Sequence, residues 1–299
     1  MDYKYLKYEV SDGILTLTMN RPEQMNSVSG AVCEEMLDAY DRADNDDDAK
    51  VIIVTGAGKA FSAGADLSAE AFKGNYFMER FMGREDTEPH RDEGGMVTLR
   101  IYDLKKPVIA AINGPAVGFG LTMTFPMDVR IASKNARMGL VFARRGIVFD
   151  GCASWFLPRI VGIGVASEWV YSGRVFPAQE AYDRGLVSEL LEPEQLLPRA
   201  REIAQGIVSN TSSVSVAFCR QLMWKMLGAD HPMEAHILES RALNWIFGTA
   251  EAKEGVTSFL EKRPPKFPMQ LSKDLPKFFP WCKSGNSSIS KAGRQAVYK

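Results

Sequence analysis

Val108-Ile109-Ala110-Ala111-Ile112-Asn113-Gly114-Pro115-Ala116-Val117-Gly118-Phe119-Gly120 runs from an unbroken apolar block into a glycine-rich turn. A block of that length, bounded by turn residues, reads as a strand covered on both faces. The pattern has a counterpart upstream, where Val51-Ile52-Ile53-Val54 closes on Gly56 and is followed by the tight turn Phe61-Ser62-Ala63-Gly64-Ala65-Asp66. Both turns lead toward predicted helices. This alternation builds an α/β layer whose chemistry sits at the carboxyl ends of the strands. Nearer the amino terminus, Ile14 to Met19 alternates Leu15, Leu17 and Met19 with Thr16 and Thr18 until Asn20-Arg21-Pro22 breaks it, as a half-buried strand would. Ser29 is placed to cap a helix marked by Val32, Met36, Leu37 and Tyr40, which ends in the acidic run Asp44 to Asp48.

Toward the carboxyl end the character becomes helical. Leu196, Leu197, Ala200, Ile203, Ala204, Ile207 and Val208 mark one helix face, and periodic stretches follow at Val214 to Leu227 and Met233 to Phe247. After Lys262, Pro264, Pro265, Pro268, Pro276 and Pro280 and a Ser/Lys/Gly run imply an extended tail without a core of its own. The polar stretch from Lys73 to Met96, with Gly74, Gly83, Gly94 and Gly95, reads as a mobile loop or lid.

Composition narrows the function classes. Of 299 residues, 45% are hydrophobic and 24% charged, which suits a globular body of enzyme size. The 36 Lys+Arg against 37 Asp+Glu leave a net charge of −1, so no overall field favours a nucleic acid or an anionic membrane. Cys33, Cys152, Cys219 and Cys282 are far apart and lack a histidine at zinc-ligand spacing, so no metal is expected and a reducing compartment fits. With no apolar signal region or membrane-spanning run, the chain is expected to be cytoplasmic.

Three motifs come close to known chemistry and fail. Gly56-Ala57-Gly58-Lys59 ends like a phosphate-binding loop, but the upstream glycine position is Ile53 and Ala60 replaces the Ser or Thr after the lysine. Ala60-Phe61-Ser62-Ala63-Gly64 lacks the first glycine of a G-x-S-x-G elbow, and only His90, His231 and His236 exist to serve a hydrolase triad. His231 and His236 are five residues apart near a helix start, where capping or solvation is the expected role. The two glycine-rich turns survive this sorting. Each can present a backbone N–H, and two donors converging on one oxygen stabilise an enolate more than a neutral carbonyl; each turn by itself also fits plain strand-to-helix packing.

Taken together, the turns closely resemble the crotonase family, the enoyl-CoA hydratase/isomerase superfamily. The matching text includes Gly56 to Asp66, Lys106-Pro107-Val108 to Gly114, Asp128, Phe156-Leu157-Pro158-Arg159-Ile160-Val161-Gly162, Ala178 to Val187 and Glu254 to Arg263, spanning about residues 5 to 267. The resemblance implies an α/β fold, a spiral of ββα units with a C-terminal helical trimerisation segment. Residues 1–195 would form the core, 196–262 the helical oligomerisation segment, and 263–299 the tail. It also implies an acyl-CoA thioester as substrate, with coenzyme A part of that substrate and no separate cofactor. The assembly would be a homotrimer or hexamer with no nucleic acid and no membrane.

On these positions the oxyanion donors would be the N–H groups of Ala65 and Phe119, the latter standing where the family usually has glycine. The family's hydratases carry their two catalytic glutamates at the positions of Thr122 and Phe142, so ordinary hydration by that carboxylate pair is not expected. One carboxylate remains, Asp150 in Gly146-Ile147-Val148-Phe149-Asp150-Gly151, at the position where family isomerases carry a base and a dehalogenase its nucleophile. The apolar flanks Val148, Phe149 and Trp155 would raise its pKa. Lys59 and Lys262 are candidate partners for CoA phosphates, and Ala63, Asp66, Leu67, Gly118, Thr122, Phe142, Phe149, Trp155 and Phe259 complete the expected substrate-binding set. The leading expectation is an enoyl- or dienoyl-CoA double-bond isomerase. The alternatives are a hydrolase or dehalogenase with nucleophilic Asp150, whose water-activating base would fall at Gly95, and a hydratase-like protein with weak or no hydratase activity that serves only to bind acyl-CoA.

Overall fold

The computed structural model describes residues 2–68 and 91–280. In chain order the strands are β1 (Leu6–Ser11), β2 (Ile14–Met19), β3 (Val51–Gly56), β4 (Val108–Ile112), β5 (Ala116–Val117), β6 (Val129–Ser133), β7 (Arg137–Gly139), β8 (Val175–Pro177) and β9 (Glu189–Leu191). The helices are α1 (Gly30–Asn45), α2 (Glu93–Tyr102), the single turn α3 (Phe119–Thr122), α4 (Ala153–Ser172), α5 (Ala178–Asp183), α6 (Pro193–Asn210), α7 (Ser213–Met226), α8 (Pro232–Phe247) and α9 (Ala250–Leu260).

The larger sheet has the order β1-β2-β3-β4-β6-β9, parallel throughout except for the β1–β2 hairpin. The smaller sheet is β5-β7-β8, and the single bridges Val28–Ala65 and Ser62–Ala116 carry short extended pairings beyond its named strands. After β2, β3, β4 and β6 the chain makes a short extended segment before turning into a helix, which is the ββα spiral. The physical cause lies in the apolar blocks: every residue of β3 and β4 is buried, so helices must cover both sheet faces. On one face lie Val32, Met36, Leu37 and Tyr40 of α1 with Val97 and Ile101 of α2, packed against Leu15, Leu17, Ile52 and Val54. On the other, Leu196, Ala200 and Ala204 of α6 cover Ile14, Val51, Ile53, Ile109, Ala111 and Ile131. α6, which spans the boundary expected at 195/196, is one wall of the core.

Three further expectations change. Ser29 occupies the N-cap position of α1, but its side chain makes no capping hydrogen bond. Residues 93–96 belong to α2 rather than to a loop; Asp92 caps that helix by accepting from Gly95 N–H, while 69–90, with Glu70 and His90, lie outside the described residues. The segment 263–280 is irregular, as its prolines require, yet it is packed. Leu271 is 5% exposed and shares a small core with Val214, Ala217, Phe218 and Ala242, against which Met269, Leu275, Phe278 and Phe279 also pack. A Leu271→Ala variant is expected to lose about 2 kcal/mol of stability, the low end of the range for a core truncation, read as a lowered urea midpoint.

Asp128, part of the matched text, ties the helical segment to the sheet. Its Oδ2 accepts from Val108 N–H at 2.7 Å and from Arg220 Nε at 2.8 Å, and its Oδ1 accepts from Trp224 Nε1 at 2.7 Å. Buried Arg220 also donates to the carbonyls of Ile101, Tyr102, Leu104 and Pro126. A buried charge is tolerated when its hydrogen-bonding capacity is met in this way. Among the described residues no helix is long and apolar enough to cross a membrane.

Candidate active site

The two glycine-rich turns meet. Phe61 and Ser62 both donate their N–H to Pro115 O (3.1 and 3.0 Å), and Val117 N–H returns to Ser62 O at 3.0 Å. Gly64 sits at φ +90°, and a Cβ there would stand 2.5 Å from Val117 O and 3.5 Å from Phe119 N, so the turns approach as closely as a missing side chain permits. Val28 N–H donates to Gly64 O and Asp66 N–H to Val28 O, both at 2.8 Å, which fixes the peptides on either side of Ala65. Among the described residues, neither the Ala65 nor the Phe119 N–H has a hydrogen-bond acceptor. Phe119 opens the helical turn α3, so its N–H has no partner within that turn.

Asp66 and Gly118 support this arrangement. Arg21 donates to Asp66 Oδ2 at 3.1 Å and to Ser27 O at 2.7 Å, and Ser68 N–H donates to Asp66 Oδ1 at 3.1 Å. Burial opposes ionisation of Asp66, but the bonds from Ser68 and Arg21 outweigh it and hold the carboxyl below its ordinary value. Gly118 turns the chain at φ 56° and ψ −129°, with the buried Phe142 ring 3.7 Å from where its Cβ would be.

Asp150 lies just before α4, where Gly151 and Cys152 both adopt positive φ. Thr122 Oγ1 donates to Asp150 Oδ1 at 2.7 Å. Gly94, in the first turn of α2, leaves the room that the Phe119 ring and Asp150 share: a Cβ on Gly94 would come within 2.8 Å of Phe119 Cδ2 and 3.4 Å of Asp150 Oδ2. The phenylalanine that replaces the expected glycine thus turns its ring against α2. Asp150 is pushed up to about 6, first by burial and then by the Asp92 carboxylate, with the Thr122 hydrogen bond pulling the other way.

The source of that burial differs from expectation. Val148 is 85% exposed and Ile147 is exposed as well; α2, Thr122 and Phe119 surround Asp150 instead. Phe149 and Trp155 are half-buried against the core, Trp155 edge-on to Tyr102 and Phe156 with centroids 5.7 and 4.7 Å away. Asp92→Asn keeps a capping oxygen while removing the charge, so the Asp150 pKa is expected to fall by less than about one unit, checked by carboxylate infrared titration.

The remaining candidates divide. Ala63 and Leu67 are exposed on the Ala65 turn, and Lys59 is exposed on the loop leading into it. Thr122 and Phe142, expected to line the substrate, are buried; the Thr122 hydroxyl is engaged by Asp150 rather than presented to a ligand. Phe259, 81% exposed, lies in the last turn of α9 with exposed Lys262 just beyond the helix, and the contacts of that helix run to α8 and to the 263–280 segment. Asp103, at the end of α2, pairs with Lys225 at 2.5 Å. Gly95, matched to a dehalogenase's base, is held in the Asp92 cap. The roles of Asp92 and Gly94 escaped the sequence reading, although Asp92 before Glu93-Gly94-Gly95 is a helix-start signal. Among the described residues no group of three or more His, Cys, Asp or Glu is placed to hold a metal ion.

Comparison with known proteins agrees with this architecture. The enoyl-CoA hydratase/isomerase family model matches residues 9–270. Enoyl-CoA hydratase ACTT3 of Alternaria alternata is 40% identical over 258 residues, 86% of this chain and 83% of that protein. The (E)-benzylidenesuccinyl-CoA hydratase of Thauera aromatica is 35% identical over 261 residues, 87% of this chain and 97% of that protein. The crystal structure of enoyl-CoA hydratase from Bacillus anthracis superposes with a TM-score of 0.80 at 30% identity, covering 88% of this chain and 99% of that one.

Proposed function

Because the chain belongs to the enoyl-CoA hydratase/isomerase family, we propose that it acts on acyl-CoA thioesters as a double-bond isomerase with Asp150 as its proton carrier. In this reading Asp150 takes a proton from the α or γ carbon of the acyl chain. The C–H electron pair moves toward the thioester carbonyl, and the oxygen becomes an enolate anion between the N–H groups of Ala65 and Phe119. Asp150 then returns the proton to the other carbon, the double bond shifts, and the thioester is regenerated.

The observation that carries this reading is one largely buried carboxylate bonded to Thr122 of the helical turn that opens on the Phe119 N–H, with the Ala65 N–H on the adjoining turn, neither N–H having an acceptor among the described residues. A carboxyl at about 6 is mostly ionised at neutral pH yet holds a proton well enough to take and return it. The donors are set by packing, so they need not reorganise as charge develops.

Hydration is the second reading, favoured by the names of the relatives, ACTT3 and the benzylidenesuccinyl-CoA enzyme among them. It needs a water held and activated as well as a managed α proton, and buried Thr122 and Phe142 stand where the family's hydratases carry their glutamates. Incubation with 3-enoyl-, 2-enoyl- and 3,5-dienoyl-CoA in heavy water separates the two. Isomerisation gives products of unchanged oxygen content with a moved double bond, deuterated in proportion to the exchange of the Asp150 proton with solvent before its return; hydration adds one oxygen, and either result excludes simple binding. The enzyme works in this proposal without a separate cofactor, in the cytoplasm, as a homotrimer or hexamer whose contacts involve the exposed Ile237, Leu243 and Phe247 of α8. Lys59 and Lys262 would meet the CoA phosphates.

A further inference from the structure

We infer that Thr122 is the positioning residue for Asp150, holding Oδ1 so that Oδ2 is the oxygen that both takes and returns the substrate proton. This rests on the reading of Asp150 as the base and adds which atom acts and what orients it.

Thr122 is fully buried in α3, the same helical turn whose first N–H is proposed to meet the enolate oxygen. Its own N–H is bonded to Gly118 O at 3.0 Å. The hydroxyl has one hydrogen and two acceptors within reach, Asp150 Oδ1 at 2.7 Å and Phe119 O at 3.4 Å. The short contact with the carboxylate wins, because a charged acceptor makes the stronger bond. Oδ1 is thereby occupied on its Thr122 side, and Oδ2 lies toward Gly94, where there is no side chain and the Phe119 ring forms the wall. A proton arriving from an acyl chain held at the Phe119 N–H goes to Oδ2 and leaves from it. One bond forms at Oδ2 as one C–H bond breaks, and the reverse follows at the second carbon, so no further acid is needed.

The same turn of α3 therefore sets both the anion donor and the base. Among the described residues, the charged or titratable groups around Asp150 are Asp92 at the start of α2, Arg91 beside it, and Cys152 at the start of α4. Asp92 disfavours the ionised form of Asp150, while the Thr122 hydroxyl favours it.

The test compares Thr122→Val, which keeps the volume and removes the hydroxyl, with Thr122→Ser, which restores it. Thr122→Val is expected to lower kcat for double-bond migration roughly 10-fold, the low end for a hydrogen bond to a charged group, with little change in KM. The acid limb of its pH profile and the infrared titration of Asp150 should both move upward, since the ionised form has lost a donor. Thr122→Ser should return all three toward wild type. A packing role alone would lower thermal stability without moving the Asp150 titration. If Thr122→Val titrates and turns over like wild type while Asp150→Asn is inactive, the inference is overturned and the base assignment stands. If Asp150→Asn exchanges solvent deuterium at the wild-type rate, the base assignment itself falls, and this inference with it. Should Thr122→Val not fold, Thr122→Ala read by the same infrared titration gives the same decision.

Discussion

Asp150→Asn is expected to cost on the order of 10²-fold to 10⁴-fold in the rate of solvent-deuterium exchange into an enoyl-CoA, with acyl-CoA affinity nearly unchanged. The amide has almost the carboxylate's shape and can still accept from Thr122, and the proposed enolate donors are backbone groups that the substitution leaves in place. The same variant should gain stability, with a definite pH dependence. The Asp150 carboxyl is raised from 3.8 to about 6, so the folded state holds a proton that the unfolded chain releases first. Stability then falls as pH rises from about 3.8 to about 6, and the full cost, up to about 3 kcal/mol, is present above that window. Denaturant melts should show Asp150→Asn more stable than wild type at pH 8 and equal to it at pH 3. A variant that is less stable at pH 8, with exchange intact, would make Asp150 a structural turn residue.

The second large effect is expected at Gly64. Alanine there must adopt a positive φ while its methyl group stands 2.5 Å from Val117 O, so the turn carrying Ala65 has to withdraw from the turn carrying Phe119. Loss of one proposed enolate donor from its place is expected to lower kcat about 10²-fold to 10³-fold. Asp150 lies on a different segment, so its infrared titration should remain near the wild-type value in Gly64→Ala. Steady-state kinetics and that titration together check the assignment. Wild-type kcat with a lowered melting temperature would show that the close approach serves packing alone.

Much of the fold was legible because it follows from local pattern. The blocks Val51–Val54 and Val108–Ile112 have no polar face, which requires cover on both sides, and the structure supplies it with α1 and α2 on one face and α6 on the other. The matched text around Gly64 and Asn113 marked the turns, since each depends on residues close in sequence, and it included Asp128 without its anchoring role, which comes from partners far along the chain. The helices after residue 193 were visible in their periodicity. Their duties were not, because an apolar helix face looks the same whether it covers its own sheet, as α6 does, or is left exposed, as Phe247 of α8 is. The packing of the proline-rich segment was not legible for a related reason. Proline removes a backbone donor and so disfavours a continuous hydrogen-bond ladder, but it does not prevent burial, and Leu271, Phe278 and Phe279 close a small core that composition does not reveal.

At the site, the sequence by itself determined which groups exist: one carboxylate at Asp150, two glycine-bearing turns, and threonine and phenylalanine at 122 and 142. It also determined that the turns would follow strands, because apolar blocks ending in glycine can do little else. Only the tertiary structure decided what those groups face. Val148 and Phe149 are nearest Asp150 in sequence, yet Val148 points into solvent, and the burial comes from α2, some 50 residues upstream, and from Thr122, 28 residues upstream. Gly94 matters because the Phe119 ring needs its space, and the repulsion of Asp92 on the Asp150 carboxylate arises because helix capping brings the two near. Desolvation and charge act through space on a scale of a few ångströms. Sequence order carries that distance only within a turn or a strand, so the inventory of the site was written in the chain while its electrostatics depended on how the layers closed.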